Sequence, residues 1–184
     1  MSDRKTMIRF FTIADYEEEE RWLREQHKKG LKLVKIIIPC FYIFERCAPE
    51  DVVYRLDYQN DKEGGDYFQI FKDYGWEYFT RCNGWLYFRK AASEAESEVD
   101  SEIFSDNSSR IDMINHVFKT RMIPLIVIFL CILLPNFYDS IAEYERTSKT
   151  VTIVLGVLFV LYSCLMAYCG IKLRILRRKY EKGE

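Results

Sequence analysis

The sequence predicts an α+β protein: an antiparallel sheet built from two βαββ-like units with two helices on one face, followed by a two-helix transmembrane hairpin. Three observations lead there. Strand and helix signals run β-α-β-β twice between Ile8 and Lys90. A stretch carrying Glu94, Glu96, Glu98, Asp100 and Glu102 without a basic residue then interrupts the pattern, as linkers do. Beyond it, Met122–Phe137 holds no charged residue, and Val151–Leu173 holds only Lys172, near its end. A membrane helix needs roughly 17–25 mostly apolar residues. The second run meets that length, and Val117 and Phe118 extend the first, with Lys119 and Arg121 reaching back to the interface.

Each element has its own signals. Ile8–Ile13 is rich in β-branched and aromatic residues and reads as a strand. Asp15 is placed to cap a helix, with Glu17 to Glu20 at its positive end and His27, Lys28 and Lys29 at its negative end. Gly30 suits the left-handed stop. On this helix Tyr16, Trp22, Leu23 and His27 form the expected buried side, and the acidic run reads as a helix start. Leu31–Ile38 and Phe41–Arg46 are strands turned at Pro39 and Cys40, and Val52–Tyr58 alternates as a strand should. After the polar loop 60–65, a short helix Asp66–Tyr74 stops at Gly75. Trp76–Cys82 and Trp85–Lys90 flank Asn83-Gly84, a strong hairpin signal. Gly30-Leu-Lys-Leu-Val matches Gly75-Trp-Glu-Tyr-Phe in kind, and Phe41–Arg46 matches Trp85–Lys90 without a gap. The two βαββ units therefore read as a duplication. Several N-caps lie in Ser105–Ser109, and Ile111, Ile114, Val117, Phe118 and Met122 then keep helical spacing. One helix is expected from about Ser109 through the first span, kinked at Pro124 or ended near Pro135.

The resulting organisation is a domain over 1–92, an acidic linker over 93–108 and a juxtamembrane helix continuing as the first span over 109–138. An external loop over 139–150, a second span over 151–173 and a basic tail over 174–184 complete it. Basic residues flank the spans on the side of both termini: Arg110, Lys119 and Arg121 before the first, and six Lys and Arg from Lys172 onward at the end of the second. By the positive-inside rule both termini are cytoplasmic and the protein resides in the cell membrane. The tail either marks topology alone or also rests on anionic headgroups.

Several functions are excluded. Before Ile123 the chain carries 19 Lys and Arg against 23 Asp and Glu, so direct nucleic-acid binding is not expected. The six cysteines form no C-x-x-C pair and only two histidines are present. No metal site is expected from these residues. There is no phosphate-binding glycine loop and no hydrolase or metalloprotease motif, so neither a cofactor nor a catalytic residue is assigned. Acidic residues read as surface or capping groups.

What remains is an aromatic surplus. Tyr54, Tyr58, Trp76, Tyr78, Trp85 and Tyr87 gather on the second unit, on both faces of its strands. They are either core plus a half-exposed face or a concave surface for an apolar or cationic ligand or a partner protein.

The motifs Asp15-Tyr-Glu-Glu-Glu-Glu-Arg-Trp-Leu23, Gly30-Leu-Lys-Leu33, Val53-Tyr-Arg-Leu-Asp-Tyr58, Asp73-Tyr-Gly-Trp-Glu-Tyr78, Tyr87-Phe-Arg-Lys90 and Glu102-Ile-Phe-Ser-Asp106 resemble an uncharacterised Gram-positive bacterial membrane-protein family, a domain of unknown function. The resemblance covers most of residues 8–122. It implies a cytosolic domain ahead of membrane spans, genes beside PadR-type transcriptional regulators, and no established activity. A looser likeness, in topology alone, is to the doubled βαββ effector-binding domains of multidrug-responsive regulators, whose aromatic cleft holds a carboxylate. Glu77 and Asp57 are the carboxylates that this likeness offers for that part, and neither is assigned to it. The expected function is a membrane-tethered sensing or docking module of regulatory kind, its partner a PadR-type regulator or another membrane protein. The alternative is an accessory subunit of a membrane transport complex. The sequence leaves the oligomeric state open.

Overall fold

Two glycines with φ of +80°, Gly30 and Gly75, close the two helices of the first unit at equivalent places in its two halves. A left-handed residue satisfies the last helical carbonyls and turns the chain back, which glycine does without strain. The computed structural model describes residues 4–59, 65–95, 101–104, 106–142 and 149–182. It divides into two compact units, Met1–Ser109 and Arg110–Glu184.

In the first unit β1 (Arg4–Ile8), α1 (Tyr16–Lys28), β2 (Leu31–Ile37) and β3 (Phe41–Arg46) form one half. The other half is β4 (Val52–Tyr58), α2 (Gly65–Asp73), β5 (Glu77–Cys82) and β6 (Trp85–Ala91). The strands make two three-stranded antiparallel sheets with corresponding orders, β1-β3-β2 and β4-β6-β5. The expected single sheet is therefore divided, with β2 and β5 neighbouring each other at the division. Each half carries a register shift on its second strand, between Leu33 and Lys35 and between Tyr78 and Thr80. The β5–β6 turn uses Asn83 (φ 49°) and Gly84 (φ 85°), the pair of positive φ values that a two-residue type I′ hairpin demands. The Ile38–Pro39 peptide bond is cis.

The first strand lies four residues earlier than expected. β1 pairs with β3 from Arg4↔Glu45 to Ile8↔Phe41, and the chain then leaves the sheet. Asp15 explains the exit. Its Oδ2 accepts from the Thr12 backbone N–H at 2.7 Å and from Thr12 Oγ1 at 2.6 Å. Asp15 thus closes the turn before α1 and makes no side-chain cap on the helix.

Trp22 of α1 packs edge-on against Tyr42 and Phe44 of β3, centroids 5.0 and 5.7 Å away. Tyr67, Phe68 and Phe71 of α2 pack on a cluster of Val53, Trp76, Leu86 and Phe88. Ile103 joins that cluster, and Glu102 pairs with Arg55 at 2.9 Å. The carboxyl end of the stretch read as linker is thus fixed to the domain, while 96–100 lies outside the described residues. Loop residues 60–64 lie outside them as well.

The second unit holds α3 (Asn107–Ala142) and α4 (Lys149–Lys182), both long and apolar enough to cross a membrane. Asp106 caps α3, accepting from Ser109 N–H at 2.8 Å and from the hydroxyls of Ser108 and Ser109. These bonds hold its carboxyl below the usual range. α3 runs through both prolines without ending at Pro135. Each proline follows a π-helical turn by two residues: Phe118–Met122 before Pro124, Phe129–Leu133 before Pro135. A proline ring collides with the carbonyl four residues back. Those carbonyls, of Thr120 and Cys131, lie within the wide turns, where the chain has room for the ring. The two helices are joined by rings: Phe137 on Phe159 at 4.8 Å, Phe159 on Phe129 at 5.1 Å and Phe129 on Tyr162 at 5.8 Å. Tyr162 Oη donates across to Leu125 O at 2.9 Å. Residues 143–148 of the expected loop lie outside the described residues.

Candidate functional site

Alternation along β4 and β6 sends Tyr54, Tyr58, Trp85 and Tyr87 to one face of the second sheet. That face meets α1: Tyr16 stacks on Trp85 at 5.5 Å, and His27 approaches Tyr54. Trp76 and Tyr78 lie on the other side, with α2, where Phe68 meets Tyr78 at 4.5 Å. The second sheet is therefore covered on both faces. Five of the six aromatics are buried, and only Tyr78, 38% exposed, reaches solvent. Of the two readings of the aromatic surplus, core plus a half-exposed face is the one that the burial fits. Sequence alternation reports which residues share a face but not whether an element covers it.

Polar groups thread this core. Glu19, read from the sequence as a first-turn charge, is buried. Its Oε1 accepts from Tyr42 Oη of the first sheet and Tyr87 Oη of the second, each at 2.8 Å. Burial pushes the carboxyl up to about 7 against the two hydrogen bonds, with Asp15 adding to the rise. Glu20, also buried, accepts the Leu56 backbone N–H at 2.7 Å, a donor that β6 does not use. The signal for both was present: they fall on the helical stripe of Tyr16, Leu23 and His27. His27 Nδ1 lies 2.7 Å from Tyr54 Oη. Burial, then the positive charges of Arg89 and Lys32, hold the imidazole down to about 4. Burial raises the Tyr54 phenol to about 12.

The two carboxylates that the multidrug-regulator likeness singled out are both engaged. Arg89, buried under the Phe79 ring at 4.4 Å, donates to both oxygens of Glu77 at 2.6 Å and to Leu33 O at 3.1 Å. Hydrogen bonding to Arg89 lowers the Glu77 carboxyl. Asp57 is buried and accepts from Tyr67 Oη. Glu77 lies at the surface and Asp57 inside, and each is held by a partner within the protein.

The free surface lies on the first sheet. Tyr42, Phe44, Leu33 and Ile36 turn inward and are buried. The opposite face presents three rows in register: Ile8–Phe41–Ile37, then Thr6–Ile43–Lys35, then Arg4–Glu45–Lys32. Ile8 is 65% exposed, and Ile37, Ile38 and Phe41 are also exposed. Phe10, just past the strand, is 75% exposed. The result is an apolar end grading into rows with three cations and one carboxylate. Scattered exposed apolar residues are ordinary; a contiguous row is not. The sequence places these residues on strands and carries no signal of which face is left uncovered.

Residues 15–127 match the family model described as "Protein of unknown function (DUF2812)". The chain belongs to this family. The match begins at the turn residue Asp15 and runs from α1 through the second βαββ half into the first apolar helix, so it includes the exposed face of the first sheet apart from β1. No curated protein and no solved structure matches the chain.

Proposed function

We propose that this DUF2812 chain is a membrane-anchored docking module of regulatory kind. Its first unit works in the cytosol, with both termini there, and its two apolar helices tether it. One observation carries the reading: the second sheet is closed on both faces, whereas the first leaves an apolar row beside a net basic one open to solvent. The partner that fits is a protein whose apolar strip is bordered by carboxylates. From the family resemblance the first candidate is a PadR-type regulator, held at the inner leaflet and away from its operator. Flanking charge supports the orientation, since Arg110, Lys119 and Arg121 precede the first span and six cations follow Ile171.

The test is binding of the full chain, in detergent, to the purified PadR-type neighbour. Ile37→Ser with Phe41→Ser should weaken it roughly tenfold or more, as loss of interface anchors does, with the urea midpoint little changed. Exchange of the hairpin for an unrelated two-span anchor should leave binding intact. Unchanged binding by the serine variant would remove the sheet face from the site. Loss on anchor exchange would instead favour the accessory-subunit reading, in which the hairpin itself is the working part.

A further inference from the structure

The hairpin encloses a second opening, unrelated to the sheet face. Between α3 and α4 runs a groove of about 660 Å³. Phe118, Met122 and Ile126 form one wall, and Met166 and Ile171 line the other. Ala167 and Gly170 leave its floor low: a Cβ built on Gly170 would only just touch Met122 Cε, at 3.8 Å. At one end stand Arg174 and Arg177. Along α4 the lining extends from Ser163 to Arg177, about 21 Å at 1.5 Å per residue. That exceeds the ~15 Å depth of one hydrocarbon leaflet.

We propose that this groove is a binding site for an anionic phospholipid, with an acyl chain along the apolar walls and the phosphate at Arg174 and Arg177. The inference rests on the helices being membrane spans. The chemistry divides as the groove divides. Hydrocarbon fills a trough of Phe, Met and Ile side chains and can follow a low floor that no side chain among the described residues occupies. The planar guanidinium at the rim offers paired N–H donors, and two phosphate oxygens accept them bidentately. Arg174 is exposed and has no hydrogen-bonded or ionic partner among the described residues, and Arg177 bonds only to exposed Glu181, at 2.8 Å. A third transmembrane helix in the same groove would leave Arg174 unmatched unless it brought a carboxylate to the same depth. The lipid needs no such coincidence.

Native mass spectrometry of the full chain from detergent, titrated with phosphatidylglycerol and with phosphatidylcholine, tests the site. One phosphatidylglycerol should be retained per chain in preference to phosphatidylcholine. Arg174→Gln and Arg177→Gln should each weaken retention roughly tenfold. Gly170→Leu, which fills the floor, should weaken it while leaving helicity by circular dichroism unchanged. Equal retention of both lipids, or indifference to the arginine variants, would overturn the anionic headgroup. Indifference to Gly170→Leu would reduce the effect to surface charge and overturn the groove. A copurifying protein helix crosslinked to a probe at Met166, with no lipid retained, would assign the groove to that helix. If the chain stays in the aqueous phase without detergent, the membrane reading itself fails. A chain that enters detergent yet shows no lipid preference refutes only this inference.

Discussion

The two halves of the first unit share strand order, helix stops and a register shift at the same place, yet they end up differently wetted. In the gapless match of Phe41–Arg46 to Trp85–Lys90, Phe44 and Phe88 are equivalent and both fully buried. Phe41 and Trp85 are equivalent too, but Phe41 is 37% exposed and Trp85 is 7% exposed. Glu45 holds Arg4 at the surface, whereas its counterpart Arg89 is buried against Glu77 and Leu33 O. The difference is α1, which serves both halves: Trp22 packs on the first sheet, Tyr16 and His27 on the second. With α2 added, the second sheet has a layer on each side and the first has only one. A duplicated fold with unequal cover leaves one copy's outer face open to solvent while the other supplies the core.

The largest effect that tests this asymmetry is stability at the equivalent pair. Trp85→Ala removes a buried ring stacked on Tyr16 and edge-on to Tyr58, and should cost about 3–5 kcal/mol in urea titrations of residues 1–109. Phe41→Ala should cost less than about 1 kcal/mol, as at exposed sites. Comparable losses at the two positions would mean that the outer face of the first sheet is covered.

Next in size is a pH effect, which separates Glu19 and His27 on the buried side of α1. Glu19 has a raised folded value of about 7, so its contribution is full below its ordinary range and is lost as pH rises through 7. His27 has a lowered value of about 4, so its contribution is present above its ordinary range and is lost as pH falls toward 4. Between these limits the two slopes oppose, and stability of the native unit should be nearly flat. Glu19→Gln keeps an acceptor for both phenols and removes one slope. Its stability relative to the native unit should improve from pH 4 to pH 8 by on the order of 3 kcal/mol. Parallel curves for the two proteins would show that Glu19 does not titrate in this range.

Much of this architecture was legible in the sequence, for local reasons. Helix stops at Gly30 and Gly75, the Asn83-Gly84 turn and the strands Phe41–Arg46 and Val52–Tyr58 follow from near-neighbour chemistry, and each stands where its residues indicate. Ile8–Ile13 misled because strand-forming side chains continue beyond the last partner on β3, and pairing fixes where a strand ends. Glu19 and Glu20 misled because helix-start charge and buried polar contact use the same residues; the distinction lies in Tyr42, Tyr87 and Leu56 N–H, far away in sequence. The aromatic site misled most. Tyr54, Tyr58, Trp85 and Tyr87 look like a surplus until one helix is seen to serve two sheets. Conversely, Ile8, Ile37 and Phe41 read as ordinary strand residues, and they form a surface because no layer among the described residues covers them.

The smallest expected effect uses the two glycines, which share φ and position but not surroundings. An Ala at either must hold a left-handed conformation, at roughly 1–2 kcal/mol. At Gly75 the new methyl would come 3.3 Å from Lys90 Cε, the far part of a flexible side chain. Lys90 can yield by giving up its exposed bond to Tyr74 O at 3.0 Å, a loss of little consequence at the surface. At Gly30 the methyl would come 2.9 Å from the backbone oxygen of Cys47. That oxygen cannot retreat freely, since Cys47 N–H donates to Gly30 O at 3.0 Å and ties the two segments together. Moving one opens the other and pulls on the end of β3, where Arg46 pairs with Leu31. Gly30→Ala should therefore cost about 1 kcal/mol or more beyond Gly75→Ala, measured as the difference in urea midpoints at a common slope. Equal costs would show that backbone strain alone sets both values and that the β2–β3 end is as yielding as a lysine side chain.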